Sequence, residues 1–99
     1  MKINALLFID IFIIKKVFEI KFDKKRKQAV AYDNNIIVGE CEYIETEEYW
    51  DIIHTEVSNL YQGQGIAKKL VQCIIENADK NNKKITAQCS YAKKVLENT

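Results

Sequence analysis

The sequence predicts an α+β domain built on a mixed, mostly antiparallel sheet. Three observations carry that prediction. The first half of the chain holds short β-branched and aromatic runs, separated by Asn and Asp turn signals. The apolar period then switches to a helical one at Gln64. A short apolar run and a second helix-like stretch follow, so a meander leads into strand–helix–strand–helix.

Ile3 to Ile14 is almost wholly apolar, broken by Asn4 and Asp10. It is too short to span a bilayer, which takes about 20 apolar residues. Lys2 before the run fits the start of a signal peptide, but Lys15 and Lys16 follow it instead of a small-residue cleavage site. Residues 1–16 are therefore read apart, as an extra strand or a segment that needs a partner surface. Residues 17–99 are read as one compact domain.

Val17, Phe18, Ile20 and Phe22 favour a first strand. Lys24 to Lys27 reads as a solvated loop rather than a nucleic-acid patch. Ala29 to Tyr32 begins a second strand, and Asp33-Asn34-Asn35 is a turn, because Asn and Asp tolerate positive φ. Ile36 to Ile44 is the return strand, and Thr46-Glu47-Glu48 the next turn. Tyr49 to Val57 is a strand. Simple alternation puts Trp50, Ile52, His54 and Glu56 on one face, and Asp51, Ile53, Thr55 and Val57 on the other. Ser58 to Gly63 is a loop. From Gln64, Ile66, Leu70 and Ile74 form one helical row, with Ala67, Val71, Ile75 and Ala78 beside it. Asn81-Asn82 ends that helix in residues suited to αL. Ile85 to Gln88 is a short strand, and Tyr91, Ala92, Val95 and Leu96 mark a last helix with Ser90 as its N-cap. Residues 50 to 88 thus form a βαβ-like unit whose two strands run parallel.

Composition narrows function mainly by exclusion. Lys and Arg total 15 against 14 Asp and Glu, a formal net charge of +1, so nothing draws the whole chain to nucleic acid or to an anionic membrane. The 3 cysteines, Cys41, Cys73 and Cys89, are widely spaced, and with 1 His they cannot build an ordinary zinc site; no metal is expected. Free thiols fit a reducing compartment, so a cytoplasmic location is expected. Cys41 and Cys73 are read as small core residues.

The informative segment is Gln62-Gly63-Gln64-Gly65-Ile66-Ala67, at a strand-to-helix junction. Glycines there let backbone turn tightly and approach a ligand without a Cβ in the way. The first helical turn offers amides with no intrahelical acceptor, and the helix dipole favours an anion. Loop and helix start together suit a pyrophosphate, with Lys68 and Lys69 near a further phosphate. A glycine-rich loop that merely starts a helix stays open on composition alone. Neither G-x-x-x-x-G-K-[ST] nor G-x-G-x-x-G is present.

Gln62-x-x-Gly65-x-Ala67 matches the signature [QR]-x-x-G-x-[GA] of the GNAT superfamily of acetyl-CoA-dependent N-acetyltransferases. With His54-Thr55-Glu56-Val57 before it and Cys89-Ser90-Tyr91-Ala92-Lys93-Lys94 after it, the chain resembles the compact, stand-alone members of that group. The resemblance covers residues 50–97 well, residues 17–49 more weakly, and residues 1–16 not at all. Gln62 stands where Arg is commoner, and Ala67 where Gly is commoner.

The resemblance implies a GNAT-like fold and transfer of an acetyl group from acetyl-CoA, a co-substrate, to a primary amine. It implies that backbone of Gln62, Gly63, Gln64, Gly65, Ile66 and Ala67 holds the pyrophosphate, with Lys68 beside it for a further phosphate. The pantetheine arm would pair with backbone near Thr55, Glu56 and Val57, and an amide near Val57 would polarise the thioester carbonyl. Glu56 or His54 would take the amine proton, and Cys89 or Tyr91 would serve the leaving thiolate. Plain alternatives stand beside each: a solvated carboxylate for Glu56, a half-buried hydrogen-bonded ring for His54, and packing for Tyr91 and Cys89. At the level of the whole chain the alternatives are a CoA-binding module without chemistry, or an interaction protein docking through its apolar N-terminus. The acceptor, a small-molecule or peptide amine, is not legible, and an apolar terminal strand would suit a homodimer.

Overall fold

The structure is a computed structural model and describes residues 18–98. The apolar segment 1–16, with its expected strand, and Val17 lie outside the described residues. Among the described residues, 5 strands form a single sheet in sequence order. They are β1 (Glu19–Asp23), β2 (Gln28–Asp33), β3 (Ile36–Glu45), β4 (Tyr49–Val57) and β5 (Lys84–Ala87). The first four pair antiparallel and β4 pairs β5 in parallel, the mixed α+β arrangement expected. A 3-10 turn (Asn59–Tyr61) leads into helix α1 (Ile66–Lys80), and helix α2 (Ser90–Glu97) closes the chain.

Turn chemistry follows the sequence. Asn34 between β2 and β3 and Asn82 after α1 both sit at φ 58°, the left-handed region that Asn tolerates. The Lys24–Lys27 stretch is an exposed turn between β1 and β2, as expected of a solvated loop. Helix α1 starts at Ile66, two residues later than the periodicity suggests, because Gly65 at φ 79° and ψ 11° is its N-cap. Cys89, not Ser90, is the N-cap of α2: extended backbone persists through Cys89 at φ −67° and ψ 126°.

One face of α1 covers the sheet. Ile66, Leu70, Val71 and Ile74 are buried against Ala29, Ala31, Cys41, Trp50 and Ile52, and Ala92 and Val95 of α2 complete the core. Each large aliphatic side chain so buried contributes roughly 1.5–3 kcal/mol. At one end of the sheet Tyr43 and Trp50 stack with centroids 4.2 Å apart, and Phe22 stacks on Trp50 at 5.8 Å. Gly39 sets how closely α1 lies: a Cβ there would meet the Glu56 carbonyl at 3.1 Å and Leu70 Cδ1 at 3.2 Å.

Two bulges position the site. In β3 the register to β2 jumps from Ala31↔Gly39 to Tyr32↔Ile37, skipping Val38. In β4 the register to β3 jumps from His54↔Glu42 to Ile52↔Tyr43, skipping Ile53. The second bulge overturns simple alternation. Trp50 and Ile52 face α1, but the extra residue reverses parity, so Thr55 and Val57 take the α1 side. His54 and Glu56 still share a face, now the uncovered one, opposite Trp50 and Ile52.

Candidate active site

Strands β4 and β5 part company after four pairs. Their ladder ends at Ile52↔Ala87, where the Gln88 and Cys89 amides both donate to the Ile52 carbonyl, at 2.8 and 3.3 Å. Beyond that point β5 gives way to α2 while β4 runs on to Val57. Among the described residues, no backbone bond joins Ile53–Val57 to β5. The gap opens into a cavity of about 430 Å³, with Thr55 and Val57 on one wall and Tyr91 among its other lining residues. The rest of its lining comes from Tyr61, Gln62, Gly63, Gly65, Ile66 and Ala67.

The head of α1 faces this cavity with free donors. Among the described residues, the amides of 63 to 68 meet no backbone acceptor, and the first amide of the turn that does is Lys69, to the Gly65 carbonyl. Gly63 and Gly65 lie at φ 81° and 79°, and a Cβ on either would meet nothing within 4 Å in the free protein. Unpaired amides, a helix N-terminus and open space suit a pyrophosphate. The Gln62 side chain does not point its amide at that space. It donates to the Val57 carbonyl at 3.3 Å and to Asn59 Oδ1 at 3.1 Å, tying the loop to the end of β4.

At the gap stands a relay of small polar groups. The Cys89 thiol donates to Thr55 Oγ1 at 3.8 Å, and Thr55 donates to Cys41 Sγ at 3.5 Å. Burial pushes the Cys41 thiol up to about 11, the Thr55 hydroxyl offsetting only part of the effect. Cys89 goes the other way. Its burial favours the neutral thiol, but hydrogen bonding outweighs it: with the Ala92 amide, the Thr55 side chain, then the Tyr91 and Thr55 amides. The Cys89 thiol is therefore more acidic than usual, as an N-cap sulfur facing a first helical turn should be. On the uncovered face of β4, His54 Nε2 and Glu56 Oε1 lie 3.1 Å apart and both side chains are exposed.

A family model described as GCN5-related N-acetyl-transferase matches residues 18–99. The chain belongs to the GCN5-related N-acetyltransferase family. Membership makes it an acetyltransferase, and its α+β fold is that of solved members. A GCN5-like candidate N-acetyltransferase from Staphylococcus aureus, solved by NMR, is 36% identical over 86% of this chain and 82% of its own, with a TM-score of 0.63. The NatC complex bound to Gag peptide and CoA holds a chain 27% identical, over 72% of this chain and 54% of that one, at 0.57. An aminoglycoside N-acetyltransferase in complex with CoA shares the fold at 0.56 and 10% identity, over 72% and 53%. The chain thus spans about half the length of these two larger proteins. No curated protein matches it.

Within this GCN5-related frame, the sequence-predicted residues sort into three places. Thr55, Val57, Gln62, Gly63, Gly65, Ile66, Ala67 and Tyr91 line the one cavity. Gln64 and Lys68 are exposed on the same loop and first turn, and Cys89 adjoins Thr55. His54 and Glu56 lie across β4 from the cavity. Tyr91, a donor to the leaving thiolate by resemblance and a packing residue on the plain alternative, is 40% exposed and lines the cavity. Residue-level reading missed Tyr61, which lines the cavity and donates to Asp33 Oδ2 at 2.8 Å. It also missed Glu40 and Glu42, whose donor atoms lie within 4.8 Å of each other and of His54. Their signal was the period of two in Glu40-Cys41-Glu42-Tyr43, acids alternating with buried residues.

Proposed function

We propose that the chain transfers an acetyl group from acetyl-CoA to a primary amine, with the cavity between β4 and α2 as the thioester site. The observation that carries this reading is the parting of β4 and β5 beside the free amides of 63–68. CoA is bound by the NatC complex and by the aminoglycoside enzyme, which fits the same use of the cavity here.

In this reading acetyl-CoA supplies an activated thioester. The amides of Gly63 to Lys68 bind its pyrophosphate, and the unpaired edge of Thr55–Val57 aligns the pantetheine arm. An amide near Val57 donates to the thioester oxygen as charge develops there. A lysine-like amine arrives protonated, with an ordinary pKa near 10.4, so a base must free its lone pair. Glu56 accepts that proton, directly or through water, and His54 at 3.1 Å orients it or passes the proton on. The amine nitrogen bonds to the acetyl carbon, the carbon–sulfur bond breaks, and the CoA sulfur leaves as thiolate. Cys89 returns a proton to it, since its thiol is unusually acidic and stands at the cavity through Thr55, and the second proton of the acylated nitrogen re-protonates Cys89 through water. Tyr91 on the same wall is the second donor.

Titration calorimetry with acetyl-CoA, followed by thiol release against a panel of amines, tests the proposal. Saturable 1:1 binding and amine-dependent release are expected. Absence of binding to a folded protein would overturn it.

A further inference from the structure

The loop that offers its amides to the cavity is built to move. Gly63 and Gly65 both sit at positive φ, and glycine gives backbone its widest freedom. The Gln62 side chain ties the loop only to near neighbours, Val57 and Asn59. The turn before it, Asn59–Tyr61, closes on itself, with the Tyr61 amide donating to the Ser58 carbonyl at 2.8 Å. Distant chain fastens this segment at its foot, where the Ser58 amide donates to the Val38 carbonyl at 2.8 Å. It is fastened again at its top, where the Tyr61 hydroxyl donates to Asp33 Oδ2 at 2.8 Å, across 28 positions of sequence.

The second fastening joins two elements that the sheet does not pair. Asp33 ends β2 at the turn into β3, and Tyr61 directly precedes the phosphate loop. Both are half-buried, and Phe18 meets the Tyr61 ring edge-on, with centroids 5.9 Å apart. Tyr61 lines the cavity and Asp33 does not. A turn asks for Asp or Asn at 33, but it does not ask for a tyrosine hydroxyl from another loop. A carboxylate this near an anion's cavity works against the anion's charge. It also makes a stronger bond to a hydroxyl than a neutral acceptor does.

Resting on the acetyl-transfer reading, we infer that Asp33 is a positioning residue for acetyl-CoA. By accepting from Tyr61 it fixes one wall of the cavity and the start of the loop, so that the amides of 63–68 stand ready for the pyrophosphate. A loop ordered before the ligand arrives spends less of the binding energy on its own ordering.

Titration calorimetry with acetyl-CoA on the full chain, with a melting curve for each protein, tests this. Tyr61→Phe keeps the ring against Phe18 and removes the donor. It should weaken acetyl-CoA roughly fivefold, the worth of one hydrogen bond. Asp33→Ala should weaken it comparably, and the double variant should bind no worse than either single one, as for two ends of one bond. Asp33→Asn keeps an acceptor oxygen and should restore most of the affinity. A role confined to the turn would lower Tm in Asp33→Ala and leave the affinity of Tyr61→Phe untouched. Unchanged affinity in Tyr61→Phe would therefore overturn the inference, even where Asp33→Ala binds less well or fails to fold. Losses that multiply in the double variant would overturn it too. A parent protein that binds no acetyl-CoA would overturn the acetyl-transfer reading, and this inference with it.

Discussion

Gly65 separates ligand approach from fold cleanly. At φ 79° it occupies the left-handed region, where an L-residue costs roughly 1–2 kcal/mol. No atom lies within 4 Å of where its Cβ would be, so Gly65→Ala adds backbone strain and no clash to the free protein. For a domain this small, each kcal/mol lowers Tm by about 4–8 °C. A fold worth about 5–15 kcal/mol stays almost fully populated at 25 °C after that loss. Loss of CoA affinity in Gly65→Ala therefore cannot come from unfolding. It must come from a methyl group where the phosphates approach, and roughly tenfold weakening, about 1.4 kcal/mol, is expected. Gly65→Asn refines the test, because Asn tolerates the left-handed region: it should recover most of the Tm and none of the affinity. Melting curves and acetyl-CoA calorimetry on the three proteins decide the matter. A folded Gly65→Ala with unchanged Kd would refute the phosphate role of the loop. Gly65→Val confounds the two effects, since a β-branched residue strains that φ further.

Glu56→Gln should lower kcat roughly 100-fold near neutral pH with CoA affinity intact, and His54→Gln should cost less; an unchanged pH–rate profile in both would move the base elsewhere. Thiol alkylation should hit Cys89 first, with a pH midpoint below the ordinary thiol value, and bound acetyl-CoA should protect it, whereas Cys41 should stay inert; uniform labelling of the two would count against the special acidity of Cys89. Cys41 also makes a stability prediction. Its pKa is higher folded, at about 11, than the ordinary 9.0, so its contribution is whole below pH 9 and drains away as pH rises toward 11. The loss reaches about 3 kcal/mol at most, and Cys41→Ala should show a flatter decline of Tm between those pH values than the parent.

Most of the architecture is local, and local signals reported it. Asn34 and Asn82 announced their left-handed turns, the spacing of Ile66, Leu70 and Ile74 announced α1, and the glycine pair announced its start. The parallel pairing of β4 with β5 followed from the intervening helix. Local signals do not report what depends on other strands. The cavity arises because β5 stops at Ala87 while β4 continues, a length mismatch between segments far apart in sequence. The Glu40–Glu56 pairing depends on a register set by β3.

The Ile53 bulge had a trace in the sequence, of a chemical kind. Strict alternation from Trp50 and Ile52 would carry His54 and Glu56 into the core and leave Val57 in water. Burying an unpaired carboxylate costs far more than burying Val57 gains. An alternation that begins with two large apolar residues and ends in His and Glu must therefore change parity between them, and Ile53 is where it does. That one extra residue divides the labour of the strand. Thr55 and Val57 turn to the cavity under α1, and Glu56 and His54 turn to the open face where Glu40 and Glu42 wait. A straight β4 would turn Glu56 and His54 under α1 and leave Thr55 and Val57 on the open face. The bulge belongs to the site as much as the side chains it aims.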